Sequence, residues 1–311
     1  MADIHQGHSA LGDVAARTLA NATKTVPQLR LITPRWFTHM LSWVPVEAGI
    51  YRVNKVKDPN KIIVDCSQRE EEREFNTTFV DYEEWGREYY LSAVNTVVDV
   101  HTRVSDLYSS PHNQIHEQVR LAIEIVKERQ ERELLNNQEY GLLRNVDNSM
   151  KVKTRAGAPT PDDMDELISR VWKEPAFFLA HPIAIAAFGR ECTRRGVPPP
   201  TTSLFGSQFL TWRGFPLIPC DKIDVVEGKT AILLLRTGES RQGVVGLYQP
   251  GLTGEQGMGL SVRFMGINHK AIASYLISLY CSLAVLTEDA VGILEDVEVG
   301  KYHDYKHVYA R

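Results

Sequence analysis

Apolar positions recur at helical spacing along several stretches of the chain. Leu11, Val14, Ala15 and Leu19 form a short stripe that Pro27 stops. Thr33-Pro34 then has the form of a helix start, a capping hydroxyl followed by proline at the first helical position. Trp36, Phe37, Met40, Leu41 and Val44 follow at i, i+1, i+4, i+5 and i+8, with Pro45 as the stop. This spacing predicts a helix of some three turns, too short to stand without tertiary packing. Its large apolar face must dock on the chain's own core or on a neighbour. The longest predicted helix runs over 111–140. Ile115, Val119, Ile123 and Val126 mark one face, with Ala122 beside it and Leu134 further on, and Gly141 ends it. Lys127/Glu131 and Glu128/Arg132 stand at i, i+4 and predict a solvated, ion-paired opposite face. A third helix opens at Thr160-Pro161-Asp162-Asp163, with Met164, Leu167, Ile168, Val171 and Trp172 following at i, i+3, i+4, i+7 and i+8. A fourth starts at Pro182 and ends near Arg190.

Period-2 and continuous apolar runs predict the strands. The segment at 61–65 is a short strand, followed by the acidic run Arg69-Glu-Glu-Glu-Arg-Glu74 and a returning strand over 75–80. Together they read as a long hairpin with a charged tip. Further strands are predicted at 176–180, 209–212, 217–218, 231–235 and 244–247, punctuated by Gly214, Gly228 and Gly238. In 272–286, Tyr275, Ile277, Leu279, Cys281, Leu283 and Val285 alternate with Ser274, Ser278 and Ser282, which is period 2 and predicts a strand. Helices and strands fall in separate groups without a repeating βαβ pattern, so the class is α+β. The Gly/Pro/Thr-rich joint at 154–161 is the expected boundary between two parts, and Arg194 to Pro200 is an exposed loop.

The chain has 311 residues, more than one hydrophobic core usually holds. Lys+Arg is 35 and Asp+Glu 39, a net charge of −4, which argues against a chain-wide phosphate-binding surface. The stretch MADIHQGHSALGD lacks an apolar core, so no secretory signal is expected. The most apolar runs, 175–188 and 272–286, fall short of the ~18 apolar residues of a membrane span. Cys66, Cys192, Cys220 and Cys281 form no CxxC pair. That spacing excludes a zinc ribbon or a thioredoxin-like centre, and the thiols are expected to be buried or idle.

Short motifs offer little chemistry. Gly228-Lys229-Thr230 resembles the end of a phosphate-binding loop, but position 223 is Ile and a strand follows where a helix is needed. His112 and His116 share a helix face without a third ligand, and His303 and His307 sit in a tyrosine-rich tail. GxSxG, HExxH and GxGxxG are absent. No catalytic, cofactor-binding or metal residue is therefore assigned. The arm and hairpin carry apolar surface that a monomer would leave in water, which marks subunit contacts.

Longer segments carry a resemblance. They are Asn21-Ala-Thr-Lys-Thr-Val-Pro-Gln28, Trp43-Val-Pro-Val-Glu-Ala-Gly-Ile-Tyr51, His101-Thr-Arg-Val-Ser-Asp-Leu-Tyr-Ser-Ser-Pro-His112, Arg195-Gly-Val-Pro-Pro-Pro-Thr201, Leu204-Phe-Gly-Ser-Gln-Phe209 and Val262-Arg-Phe-Met-Gly-Ile-Asn268. Through them the chain resembles the family 2 encapsulins of the A subtype, from about residue 13 to residue 299. The resemblance implies the tailed-phage major capsid fold of the Hong Kong 97 type. Residues 1–45 become an N-terminal arm and 46–157 a peripheral domain, with an extended loop at about 60–90 and a spine helix at about 111–140. Residues 158–265 become an axial domain, and 266–311 return to the peripheral domain and the tail.

The resemblance further implies a self-assembling icosahedral shell of about 60 copies in the cytoplasm, with no enzymatic activity of its own. Its cargo would be a cysteine desulfurase, tethered through a disordered N-terminal extension and carrying the pyridoxal phosphate; the shell chain would hold no cofactor. Arg194, Arg195, Gly196 and Val197 are the expected pore-lining loop at the fivefold axis. Trp36, Phe37, Met40 and Leu41 are the expected arm residues facing a neighbouring subunit or the cargo. The alternatives are a prophage capsid protein packaging nucleic acid and a cytoplasmic enzyme of unknown chemistry.

Overall fold

A computed structural model describes residues 32–64, 76–101 and 114–302. The Leu11 to Leu19 stripe, the acidic hairpin tip, Cys66, the start of the spine helix with His112, and His303 and His307 lie outside the described residues.

The described residues open with a helix α1 (Trp36–Met40) and a strand β1 (Ser42–Pro45). The predicted three-turn helix is thus only five residues long. Residues 42–45 pair instead with β11 (Val244–Tyr248) in parallel register, and Trp43 Nε1 donates to the Thr38 carbonyl at 3.0 Å. Sheet pairing outcompetes the helical pattern here, as tertiary context does over weak propensity. Thr33 caps nothing on α1; Arg35 stands at the cap position in left-handed conformation.

Two strands, β2 (Ile50–Val53) and β3 (Arg87–Tyr90), form the base of the predicted hairpin. Beyond them only a Val56–Tyr82 bridge continues the pairing. Residues 62–64 and 76–80 are not strands, which corrects the expectation for 61–65 and 75–80. Strand β4 (Ser92–His101) follows, then the spine helix α2 (Gln114–Asn136), 23 residues long. At 1.5 Å per residue that is about 34 Å. The turn after α2 closes through Gly141, where a Cβ would meet the Asn137 carbonyl at 2.3 Å.

Helix α3 (Pro161–Arg170) starts with the expected capping box: Thr160 accepts from the Asp163 N–H, and Asp163 accepts from the Thr160 N–H. Helix α4 (Pro182–Arg194) is capped by His181, whose Nδ1 accepts from the Ile183 N–H. The other strands are β5 (Lys151–Lys153), β6 (Phe177–Ala180), β7 (Thr201–Leu204), β8 (Ser207–Trp212), β9 (Phe215–Pro219), β10 (Lys229–Leu235), β12 (Glu255–Gly257), β13 (Leu260–Ile267), β14 (Ile272–Val285) and β15 (Val291–Glu298).

The strands make two large sheets. The first runs β1-β11-β14-β13-β12, with β4 along the free edge of β14. The second runs β5-β15-β10-β6-β9-β8-β7. Its centre, Phe177–Ala180 against Lys229–Leu235, is apolar on both faces because α3 and α4 pack against the sheet. Helix α2 lies across β4 and β14. One continuous core joins α2, α3, α4 and both sheets, and a smaller cluster of Val46, Tyr89, Val245, Leu247 and Ala284 sits under the hairpin base. Strands β11 to β13 belong with β4 and β14, while β5 and β15 belong to the second sheet.

Phe37 is fully buried in the shared core. Phe37→Ala should cost about 3–5 kcal/mol, read as a shifted chemical-denaturation midpoint. A second expectation concerns Arg236, which is buried and donates to Asp289 at 2.7 Å, while Lys173 approaches Asp289 at 2.8 Å. Burial alone would raise the Asp289 pKa, but its bonds from Arg236, Lys173 and Thr287 outweigh that and hold it well below the ordinary range. Its ionised form therefore stabilises the fold above the ordinary aspartate value of ~3.9. The difference in melting temperature between wild type and Asp289→Asn should stay constant from neutral pH to about pH 5 and shrink as the pH falls through that value and below it.

Candidate assembly surfaces

Three surfaces bear on assembly. The first is the hairpin excursion between β2 and β3. Its backbone is held by Lys57 N–H to Asp81 O and Glu83 N–H to Lys55 O, both at 2.8 Å. Its side chains are largely in solvent: Val64 is 81% exposed, Phe79 91% and Trp85 87%, with Ile63 and Tyr82 also exposed. Such large apolar groups on one excursion exceed the scattered exposure of an ordinary surface. The base is anchored where Tyr89 donates to the Val285 carbonyl at 2.6 Å.

The second surface is the loop that follows α4. Gly196, at φ 73°, lets the chain reverse; its N–H reaches the Thr193 carbonyl and that of Val197 reaches Cys192, both at 3.0 Å. This paired closure is a Schellman motif. Arg194 Nη2 lies 3.0 Å from Glu191, and Arg195 Nη1 also pairs with Glu191. Glu191 is buried, so the three side chains leave one net positive charge rather than two. Gly196 and Val197 are exposed, and Pro198-Pro199-Pro200 leads into the β7–β8 hairpin. Of the four loop residues singled out in the sequence, Arg194 is the last residue of α4 and Arg195 its cap.

The third is the arm. Phe37 and Leu41 are buried in this chain's own core, and Met40 packs against it. Trp36 lies edge-on to Phe209 at 5.3 Å and stacks on Phe205 at 5.9 Å. The assignment of these residues to a neighbour or a cargo is corrected to that extent: Phe37 and Leu41 cannot present a surface, because sheet pairing at 42–45 turns the segment into the molecule. The excursion carries exposed apolar side chains. Ile62, Ile63, Val64 and Phe79 fall in the segments expected as strands at 61–65 and 75–80, and Trp85 lies outside them.

A polar junction fixes the arm. Thr33 N–H and Oγ1 donate to Glu128, Arg35 pairs with Glu124 at 2.7 Å and Glu128 at 3.1 Å, and Lys222 reaches Glu128 at 2.7 Å. Burial would raise the Glu128 pKa, but Lys222 and Thr33 outweigh it and hold the carboxyl below its ordinary value. Glu131, one turn on, is pushed up to about 7, chiefly by burial, with Lys222 opposing. The expected solvated pairs Lys127/Glu131 and Glu128/Arg132 do not form: Lys127 pairs with Glu124 and Arg132 with Asp224. Charges expected on the outer face of α2 point inward because arm and β9 turn cover it. Cys192, Cys220 and Cys281 are free and buried. Burial pushes Cys192 up to about 11 and Cys281 to about 12, so neither is an active nucleophile at neutral pH.

Among the described residues, no helix is long and apolar enough to cross a membrane. The comparisons with known proteins agree with one another. Residues 51–301 match the family of SrpI-like type 2A encapsulin shell proteins. The type 2A encapsulin shell protein SrpI of Synechococcus elongatus is 73% identical over 298 residues, 96% of this chain and 97% of the relative. The type 2A encapsulin shell protein of Mycolicibacterium paratuberculosis is 63% identical over the same lengths. In the cryo-EM structure of the holo-SrpI encapsulin complex of Synechococcus elongatus, the chain has a TM-score of 0.83 to this one at 70% identity, covering 96% of this chain and 99% of that chain. Capsids share the fold at far lower identity: a native GTA particle at TM-score 0.59 and 16%, covering 93% and 100% of the two chains, and Mycobacterium phage Patience at 0.57 and 10%, covering 96% and 91%. The relatives are structural shell proteins, not enzymes. This chain, with its capsid fold and an excursion whose apolar side chains have no cover of their own, belongs to the type 2A encapsulin shell proteins.

Proposed function

We propose that about 60 copies of this shell protein close into an icosahedral compartment in the cytoplasm, that the compartment encloses a cysteine desulfurase, and that it serves sulfur metabolism or storage. The carrying observation is the near full-length correspondence to a shell-forming chain, at 70% identity and TM-score 0.83. The excursion supports it: Phe79, Trp85 and Val64 leave water only if a second copy covers them. The desulfurase follows from the resemblance of the sequence segments. It would bring its own pyridoxal phosphate and enter through its disordered N-terminal extension. Packaging of nucleic acid finds no comparable support, since the capsid matches speak to fold alone.

The loop from Arg194 to Val197 is the proposed pore rim. Ring charge governs which small ions pass a constriction. Here the charge available is set by the Glu191 pairing, so the rim is weakly cationic per copy and its arginines are held rather than free.

Purified native protein should run as uniform hollow shells with a mass on the order of 2 MDa, as about 60 subunits require, by light scattering and negative-stain microscopy. A species below ~200 kDa, the scale of a small oligomer, would sink the reading. For the pore, charge reversal of Arg194 and Arg195 to Glu would set two further carboxylates beside buried Glu191 and should cost about 1–3 kcal/mol, seen as a lower melting temperature. The triple change Glu191→Gln, Arg194→Gln, Arg195→Gln removes the charge without that clash. It should leave assembly intact and change cysteine turnover by enclosed desulfurase several-fold; unchanged turnover would reject the rim assignment.

A further inference from the structure

One group of side chains has no part in covering surfaces or lining a loop. Glu131 on α2, and Cys220 and Asp221 just after β9, each bring a potential ligand atom to within 4.8 Å of the others. Glu131 is 1% exposed and Cys220 3%. One Glu131 oxygen accepts from the Thr38 N–H, while Oε1 has no hydrogen-bond partner. An unmatched buried polar atom costs about 1–3 kcal/mol and in native proteins has a reason.

The obvious donor nearby is already committed. Lys222 Nζ carries three N–H groups, and it has three oxygen partners: Asp221 at 2.6 Å, Glu128 at 2.7 Å and Thr33 Oγ1 at 3.2 Å. Nothing is left for Glu131 Oε1. A cation arriving from solvent would supply the missing partner, and Asp221, whose side chain is 48% exposed, forms the entry.

We propose that Glu131, Cys220 and Asp221 form a three-ligand site for a divalent transition metal ion, with zinc the best match. A thiolate beside two carboxylates selects against magnesium and calcium and suits zinc. Three protein ligands with water in the fourth position is a known zinc arrangement. Ionised, the three ligands carry −3, and a divalent ion lowers that to −1 beside the Lys222 ammonium. Binding releases the Cys220 thiol proton to solvent as the Zn–S bond forms, with no change of oxidation state. The ion would join α2, the turn after β9 and, through Thr38, the arm. Its effect would be to fasten the arm to the body of the subunit.

The test uses assembled shells stripped with a chelator and then dialysed against zinc or cobalt chloride. We expect one ion per chain by elemental analysis and, with cobalt, the near-ultraviolet thiolate-to-metal band. Cys220→Ser should abolish the band and lower the bound metal at least tenfold. Glu131→Gln should weaken binding at least tenfold, whereas Cys66→Ser should leave both readouts unchanged. Particle size and circular dichroism verify that the variants assemble. Less than a tenth of an ion per chain, a cobalt spectrum without a thiolate band, or full binding retained by Cys220→Ser would each overturn the site. Should Cys220→Ser fail to assemble, the wild-type cobalt spectrum and Glu131→Gln decide alone.

Discussion

A strand with neighbours on both edges must have its backbone donors and acceptors met by other parts of the chain, and β14 imposes that condition on three distant segments. Along one edge it pairs with β4 from Ile272 to Cys281. Along the other it pairs first with β13 and then with β11. Buried backbone groups without partners are expensive, so residues 92–101, 244–248 and 260–267 have to come together for β14 to exist. The same strand supports α2 on one face and the hairpin base near its C-terminal end, where Val285 accepts the Tyr89 hydroxyl. The excursion is thus aimed by a rigid element even though its own backbone has few regular bonds.

The polar junction does for the arm what β14 does for the sheet. Glu128 receives bonds from Thr33, Arg35 and Lys222, which come from segments about 95 residues to either side in the chain. Desolvating these charges is costly, and an apolar contact would hold the arm more cheaply. Directional charge pairs instead fix one docking position for a short helix that has only Phe37 and Leu41 fully inserted. For a subunit whose neighbours must meet at repeated angles, a single arm position matters more than the last increment of stability.

Much of this was legible in the residues. The period-2 pattern of 272–286, the Thr160 capping box and the apolar runs of β6 and β10 are local signals, and local signals survive folding. Strand β4 carries the same local signal, with Val94, Thr96, Val98 and Val100 alternating inward. The arm helix was misjudged. Nothing near Ser42 says that a strand two hundred residues away will pair with it, so the helical spacing of Trp36 to Val44 was the better local reading and the wrong one. Glu128 and Glu131 were taken for solvated charges because helix periodicity places them opposite the apolar face; only the fold reveals that arm and β9 turn cover that side. The candidate loop was located correctly as an exposed turn, but its electrostatics depended on Glu191, one turn back and buried, which no loop motif points to.

That last case separates two kinds of surface on the chain. The excursion presents apolar groups with few partners among the described residues. The loop after α4 is the reverse: both its arginines pair with Glu191 and its backbone is closed by the Schellman motif. The placement of Phe79 and Trp85 on one element and of Glu191 with its two arginines on another separates surface that a neighbour can relieve from surface that the chain relieves by itself.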